Sequence, residues 1–235
     1  KDKIVSEKHF KGFYWNPEDD MIDEACIVGV DVIIHLAGAP IAKRWTSSYK
    51  KEIISSRIDT AKLLKKLLIN SKTHKVHHFI SASGIGIYES SYTQLHTEES
   101  EQLGDDFLAN VVRKWEAAAD DFQELGIDVA KLRFGMVLSD KDGALKKIVE
   151  PIKYYVGAVL GTGEQWQSWI HVRDLARMFL HVIDNNLEGV YNAVSSNPVT
   201  NKVLTKRAAY LLDKPILLPN VPKFMLKLTF GEMAT

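Results

Sequence analysis

The stretch from residue 30 to residue 40 constrains the fold of this chain more than any other. A run of β-branched and aliphatic residues opens it and predicts a strand that is buried on both faces. The run stops at Gly38 and Pro40, where regular pairing cannot continue, and a helical pattern follows from about Thr46. These pieces make half of a βα unit in an open parallel sheet, where ligands lie outside the carboxyl ends of the strands. An ordinary buried strand with a tight exit explains the same pattern equally well.

The next apolar run, over residues 76–80, ends in the same way, in Ser81, Ala82 and Ser83. Two adjacent parallel strands that end in small side chains would build one wall of a cleft, with the hydroxyl of Ser83 presented into it. The hydroxyls of Ser81 and Ser83 could also cap local backbone groups, and the sequence alone favours that simpler role.

Alternating strand and helix patterns predict the rest of an α/β fold with a parallel sheet. Strands are predicted over residues 10–15, 30–34, 76–80, 127–134, 165–172 and 189–193. Helices are predicted over residues 21–28, 46–68, 105–125, 173–185, 201–212 and 223–230, and from residue 144 with an interruption at Pro151. Gly161 and Gly163 give a weak phosphate-loop signal that an exposed turn explains better.

Composition excludes several classes of partner. Thirty basic and thirty acidic residues cancel, so no net field recruits nucleic acid or an anionic membrane. No apolar run is long enough to span a bilayer, and no cluster has the spacing of zinc ligands, so we expect no membrane and no metal. The single Cys26 excludes an internal disulfide and favours a reducing, cytoplasmic location. The expected partner is a small-molecule substrate.

Several stretches together resemble the extended short-chain dehydrogenase/reductase superfamily, and within it the atypical, YfcH-like epimerase family. The stretches that carry the resemblance are residues 35–42, 44–46, 56–57, 81–83, 115–116, 133–138, 161–174 and 189–193. The resemblance covers nearly the whole chain.

The resemblance implies a doubly wound, Rossmann-like sheet that binds NADP or NAD, with NADP favoured, and a smaller C-terminal substrate lobe. The cofactor domain would comprise residues 1–140, completed by about 168–194, and the lobe residues 141–167 and 195–235. Ser83 would take the place of the catalytic serine of the superfamily. The residues implied to bind the cofactor are Leu36, Ala37, Gly38, Ser81, Ala82, Phe134, Gly135 and Met136. The residues implied to face or support the substrate cleft are Trp166, Trp169 and His171.

Two departures from the superfamily pattern affect the expected chemistry. The glycine-rich fingerprint of the first strand does not occur in this sequence, and the C-terminal tail of the family also has no counterpart, so we expect the sequence to be an incomplete copy. The superfamily's proton-transfer pair is a tyrosine and a lysine one helical turn further on, and Leu108 and Val112 stand there. Tyr88 is a candidate substitute acid.

Two functional hypotheses follow. The leading one is an NAD(P)-dependent oxidoreductase or epimerase-like enzyme acting on a small polar substrate, with nucleotide sugars among the candidates. The alternative is a non-catalytic dinucleotide-binding module with a regulatory or partner-binding role, which Leu108 and Val112 motivate.

Overall fold

The computed structural model describes residues 4–71 and 73–234. The strands are β1 (Ser6–Glu7), β2 (Phe10–Lys11), β3 (Trp15–Asn16), β4 (Met21–Ile22), β5 (Val32–His35), β6 (His78–Gly84), β7 (Asp128–Phe134), β8 (Met136–Leu138), β9 (Trp166–Gln167), β10 (Trp169–His171), β11 (Gly189–Ala193) and β12 (Val199–Thr200). The α-helices are α1 (Ser47–Asn70), α2 (Phe107–Asp120), α3 (Ala144–Lys153), α4 (Val172–Asp184), α5 (Asn201–Leu211) and α6 (Lys223–Phe230).

A parallel sheet with the strand order β11-β7-β6-β5 forms the centre of the described chain. Ile34 of β5 pairs with Ile80 of β6, and Ile80 pairs in turn with Ala130 of β7. After β7 the chain passes through Gly135 into β8, which pairs in parallel with β10. The predicted α/β class and the parallel sheet are confirmed.

Helices cover both faces of this sheet. On one face, α1 and α2 pack around Phe79, whose ring stacks on that of Phe122 at 3.7 Å between centroids. On the other face, α4 packs its Leu175 and Phe179 against Ile80. Because successive side chains of a strand point to opposite faces, neighbouring residues of β6 serve the two cores. This arrangement is the predicted doubly wound sheet.

The prediction that residues 30–34 are buried on both faces is wrong. β5 lies at the edge of the described sheet, and the side chain of Ile34 is 42% exposed. The neighbouring Val32 packs into the core beneath α4, whereas Ile34 has no such cover. The continuous apolar run therefore predicted the strand correctly, but it did not predict that the strand lies at the edge of the sheet.

Three other predicted elements differ from the structure. Pro151 lies inside α3 without interrupting it, because at this point near the helix end only the hydrogen bond to the Lys147 carbonyl is lost. Residues 21–28 form a short strand and a 3-10 helix, and residues 10–15 contribute to two separate strand pairs. Residues 165–172 form two strands with different partners, since β9 pairs with β12.

The C-terminal part of the chain packs beside the sheet. Here α3 contacts α5, and the segment around Leu160 pairs with Val221. Thr162 and Glu164 of the glycine turn are exposed, as predicted, while Gly163 itself is buried against Val159 and Lys202. Within the described ranges, no helix is long and apolar enough to cross a bilayer.

We predict that Gly135→Ala lowers the free energy of unfolding by about 2 kcal/mol through overpacking. An added Cβ would lie 2.5 Å from the carbonyl oxygen of Ser168, which accepts a hydrogen bond from the amide of Met136. Urea denaturation measures the loss. Gly84→Ala is the control, because its Cβ would meet Val112 at an ordinary 3.7 Å. Equal stability of the two variants would contradict the close approach of the strands.

Candidate functional site

A buried ion pair joins the ends of the central strands. Arg133, near the end of β7, donates from Nε and Nη2 to the two carboxylate oxygens of Glu116 on α2, at 2.8 and 2.9 Å. Ser83 of β6 donates its hydroxyl to the same carboxylate at 2.5 Å. The bidentate geometry fixes the guanidinium in one plane. The pair therefore locks a helix to two strands at their carboxyl ends.

The charges of this pair support each other. Burial alone would raise the pKa of Glu116, but hydrogen bonds from Arg133 and Ser83 and the positive charge of Arg133 bring it below its ordinary value. Burial likewise opposes the charge on Arg133, yet hydrogen bonds to Glu116 and Tyr88 raise its pKa above the ordinary range. Both groups are therefore charged at neutral pH.

The pair extends to Tyr88, which follows β6. Arg133 Nη1 donates to the phenol oxygen of Tyr88 at 2.8 Å, and the phenol donates to Oδ1 of Asn192 on β11, also at 2.8 Å. The guanidinium lies 5.1 Å from the centre of the Tyr88 ring, and the ring of His96 stacks on the Tyr88 ring. Tyr88 is thus held on one edge by charge and on one face by an aromatic ring.

A cavity of about 680 Å³ opens beside Tyr88 at the carboxyl ends of β6 and β11. Its lining includes Gly86, Tyr88, His96, Leu108, Trp166 and Asn192. A pocket outside the carboxyl ends of parallel strands is where open α/β sheets bind ligands. We take this cavity, named the cleft from here on, as the candidate active site.

The two apolar residues at the positions of the usual proton-transfer pair lie along this side of the sheet. Leu108 lines the cleft, and its Cβ is 3.5 Å from where a Cβ on Gly86 would stand. Val112 is buried, and its Cγ2 would be 3.7 Å from a Cβ added at Gly84, which is an ordinary van der Waals distance. Neither side chain can carry a proton. Among the residues of the cleft lining, Tyr88 has a hydroxyl that accepts a hydrogen bond from Arg133.

The end of β5 has the features that the dinucleotide prediction requires. Leu36 is 60% exposed and Gly38 is also exposed, so the backbone is open to a flat ligand. Arg57 of α1 lies beneath Gly38, donates to the carbonyls of Ile53 and Ala39, and leaves its Nε buried without a partner among the described residues. The strand end is therefore open to a ligand, while Arg57 holds the backbone beneath it.

The other predicted cofactor residues have structural partners of their own. The hydroxyl of Ser81 donates to the Ala82 carbonyl, and both residues are buried in the sheet. Phe134 packs edge-on against Phe179, and Gly135 permits the close approach of Ser168. Half-buried Met136 pairs with Trp169 across β8 and β10. Their contacts with a cofactor stay predictions.

Of the three predicted substrate residues, the structure brings one to the cleft. Trp166 lines it and donates its indole N–H to the carbonyl of Tyr92. Trp169 donates to the carbonyl of Asn197, and His171 accepts the amide of Arg173 as the cap of α4. Neither Trp169 nor His171 is part of the cleft lining.

Sequence reasoning gave no role to Glu116, Arg133 or Asn192. A signal for the first two was present, because each is a charged residue at a position where the apolar pattern of its helix or strand predicts burial. A buried carboxylate and a buried guanidinium need each other, so the two could have been paired. Asn192 carried no such signal.

Fold and cleft together define a Rossmann-like protein of the class that binds nucleotide cofactors. A profile of the NAD dependent epimerase/dehydratase family matches residues 116–194. An epimerase family protein of Staphylococcus haemolyticus is 39% identical over 210 residues, which cover 88% of this chain and 69% of that protein. The epimerase family protein YfhF of Bacillus subtilis is 38% identical over 206 residues, covering 87% and 67%.

Solved structures agree with this result. The crystal structure of human epimerase family protein SDR39U1 with NADPH has a TM-score of 0.79 at 30% identity and covers 87% of this chain and 70% of that one. A nucleoside-diphosphate sugar epimerase from Corynebacterium glutamicum has a TM-score of 0.72 at 32% identity, covering 98% and 49%. The chain therefore belongs to the epimerase family, and the predicted family is confirmed. The predicted nicotinamide dinucleotide agrees with the cofactor for which the matching profile is named.

We predict that Glu116→Gln lowers the free energy of unfolding by about 3–5 kcal/mol, because it leaves the Arg133 charge buried without a counter-charge. Glu124→Gln is the matched control, since Glu124 pairs with Lys65 but is 71% exposed, and its loss should stay below about 1 kcal/mol. Chemical denaturation measures both variants. Losses of equal size would show that the buried ion pair contributes no more to the free energy of unfolding than the exposed one.

We predict a pH-dependent loss of stability from His35, whose pKa is lowered from 6.5 to about 4 by burial and by the charge of Arg57. Between these pH values the unfolded state binds more protons, so the free energy of unfolding falls as the pH drops, by at most about 3 kcal/mol. Denaturation from about pH 7 to about pH 4 should show a shallower slope for His35→Gln than for the unaltered protein. Identical slopes would contradict the prediction.

Proposed function

We propose that the protein is an NAD(P)-dependent oxidoreductase or epimerase-like enzyme that acts on a small polar substrate bound in the cleft. The observation that carries the proposal is the Tyr88 hydroxyl, held by Arg133 and Asn192 at the wall of the cleft beside the carboxyl ends of the parallel strands. Family membership supports the cofactor, and the cleft supports a small-molecule partner.

In this proposal the end of β5 would bind the cofactor and the cleft would bind the substrate. The open end of β5, with Leu36, Ala37 and Gly38 above Arg57, would hold the cofactor, which supplies hydride transfer when bound. Residues 1–140, completed by about 168–194, would form the cofactor domain, and residues 141–167 and 195–235 the substrate lobe. The predicted cytoplasmic location goes with the half-buried free thiol of Cys26.

Tyr88 would exchange the proton with the substrate oxygen. In the usual pair, a lysine places positive charge beside the tyrosine, and here the guanidinium of Arg133 supplies that charge directly to the phenol oxygen. Asn192 accepts the hydrogen bond of the phenol and so orients the hydroxyl, and this bond has to break before Tyr88 donates to a substrate oxygen. The network would thus supply the two elements of a proton-transfer pair, the phenol from the loop after β6 and the positive charge from β7.

Ser83 would act in the same site through Glu116. Its side chain is only 2% exposed, and its hydroxyl proton is committed to that carboxylate. We therefore propose that Ser83 positions the network, while a direct hydrogen bond to the reacting oxygen would require Glu116 to release it.

The alternative is a non-catalytic dinucleotide-binding module, which Leu108 and Val112 favour because neither can transfer a proton. The two functions differ in one observable. An oxidoreductase oxidises bound NADPH when offered a suitable carbonyl compound, and an epimerase interconverts two isomers of its substrate with no net change in the cofactor. Either turnover is lost in Ser83→Ala, whereas a module binds the cofactor tightly with no turnover.

We predict that Tyr88→Phe separates binding from chemistry in the full-length protein. NADPH at 100-fold its dissociation constant should stabilise both the unaltered protein and the variant by about 2.7 kcal/mol, since the ligand binds only the folded state. Turnover of NADPH with a panel of carbonyl compounds should fall by roughly 100-fold or more in the variant, because general acid catalysis contributes on that order.

Tyr210→Phe, which removes a hydroxyl from an exposed position on α5, is the matched control and should leave turnover unchanged. Absence of thermal protection by both NADPH and NADH would contradict the cofactor assignment. Protection without turnover across the panel would favour the binding module.

A further inference from the structure

We propose that the cleft takes a hydroxylated substrate that carries no phosphate, and that it excludes nucleoside diphosphate sugars. The proposal rests on the proposed function, because it names the substrate class of the same site. Three observations carry it. They are the negative charge of the cleft wall, the lack of lysine and arginine among the described lining residues, and the polar and aromatic groups of that lining.

One wall of the cleft is strongly acidic. The segment from residue 89 to residue 106, between β6 and α2, contains six carboxylates and neither lysine nor arginine. Two of these carboxylates, on Glu89 and Asp106, belong to residues that line the cleft. A third, on Glu98, accepts the backbone N–H of Asn192 at 2.6 Å, and Asn192 also lines the cleft. These carboxylates place negative charge along this wall, although that of Asp106 also caps α2 by accepting the N–H of Ala109.

Two arginines close to this segment in the sequence or the structure already bond to other groups. Arg133 is buried behind Tyr88, and its guanidinium donates to both oxygens of Glu116 and to the phenol. Arg113 donates to the carbonyl of Gly104 at 2.6 Å. Among the described residues that line the cleft, none is a lysine or an arginine. A diphosphate needs such donors, because charge-assisted bonds from arginine or lysine compensate its lost hydration.

The lining suits hydroxyl groups instead. Tyr88, Tyr92 and Trp166 offer aromatic rings, and Ser90, Thr93 and Ser168 offer hydroxyls that both donate and accept. His96 adds two ring nitrogens that are buried and have no hydrogen-bond partner in the described part of the chain. Such a surface binds a compact polyhydroxylated molecule by stacking and neutral hydrogen bonds, without a counter-charge.

Isothermal titration of the full-length protein with UDP-glucose, in the presence of NADPH, tests the proposal. The unaltered protein should bind UDP-glucose with a dissociation constant above about 5 mM. The variant Glu89→Lys/Glu99→Lys, which reverses two exposed charges on the acidic segment, should bind it at least tenfold more tightly. Glu7→Lys/Glu52→Lys changes the net charge equally at exposed positions outside the cleft and should not.

A dissociation constant below about 5 mM for the unaltered protein would overturn the proposal. Equal affinities in the cleft variant and the control variant would overturn it as well, because charge would then not be what excludes the diphosphate. Thermal protection by NADPH, measured on the same samples, distinguishes a failure of the proposed function from a failure of the proposed substrate class. Loss of that protection overturns the proposed function, while the UDP-glucose titration still decides whether the cleft accepts a nucleotide sugar.

Discussion

The buried ion pair between Glu116 and Arg133 is the interaction on which the rest of the site depends. Two buried charges are costly unless each satisfies the other, so this pair forces α2 and β7 into one geometry. Ser83 and Tyr88 take their positions from that geometry, because each bonds directly to one member of the pair. The structure thus uses a stabilising contact of its core to orient the groups of its cleft.

The proposed function accounts for the apolar residues that the resemblance implies at the positions of the proton-transfer pair. Leu108 and Val112 lie against Gly86 and Gly84, on the side of α2 that faces the end of β6. In the proposed function the hydroxyl of Tyr88, which comes from the loop after β6, takes the role of that pair's tyrosine. Arg133 approaches it from the adjacent strand, so positive charge and phenol meet across the sheet and not along one helix.

Much of the fold could be predicted from the sequence, because it is encoded locally. The apolar spacing and the Thr46 cap identified α1, and β11 was predicted over the residues that the structure gives it. The exposure of Ile34 and the continuity of α3 through Pro151 could not be predicted. The first depends on which strand stands at the edge, and the second on how little a helix loses when one late hydrogen bond is missing.

The site was harder to predict than the fold, because its contacts join residues far apart in the chain. Ser83 was identified by its place at a strand end. Nothing local indicated that Glu116, 33 residues later, would accept the hydrogen bond of its hydroxyl. Trp169 and His171 were implied as substrate residues by the resemblance, and in the structure Trp169 donates to the carbonyl of Asn197 while His171 caps α4. Residue type finds candidates, whereas burial and partners decide their roles.

The most direct measurement of the central claim is a crystal structure of the full-length protein with NADPH. The account predicts the dinucleotide across the carboxyl ends of β5 and β6, with its nicotinamide at the side of the cleft formed by Tyr88, and the Tyr88 hydroxyl still bonded to Arg133. A dinucleotide bound away from Gly38, or a Tyr88 that has left Arg133 and points out of the cleft, would contradict it.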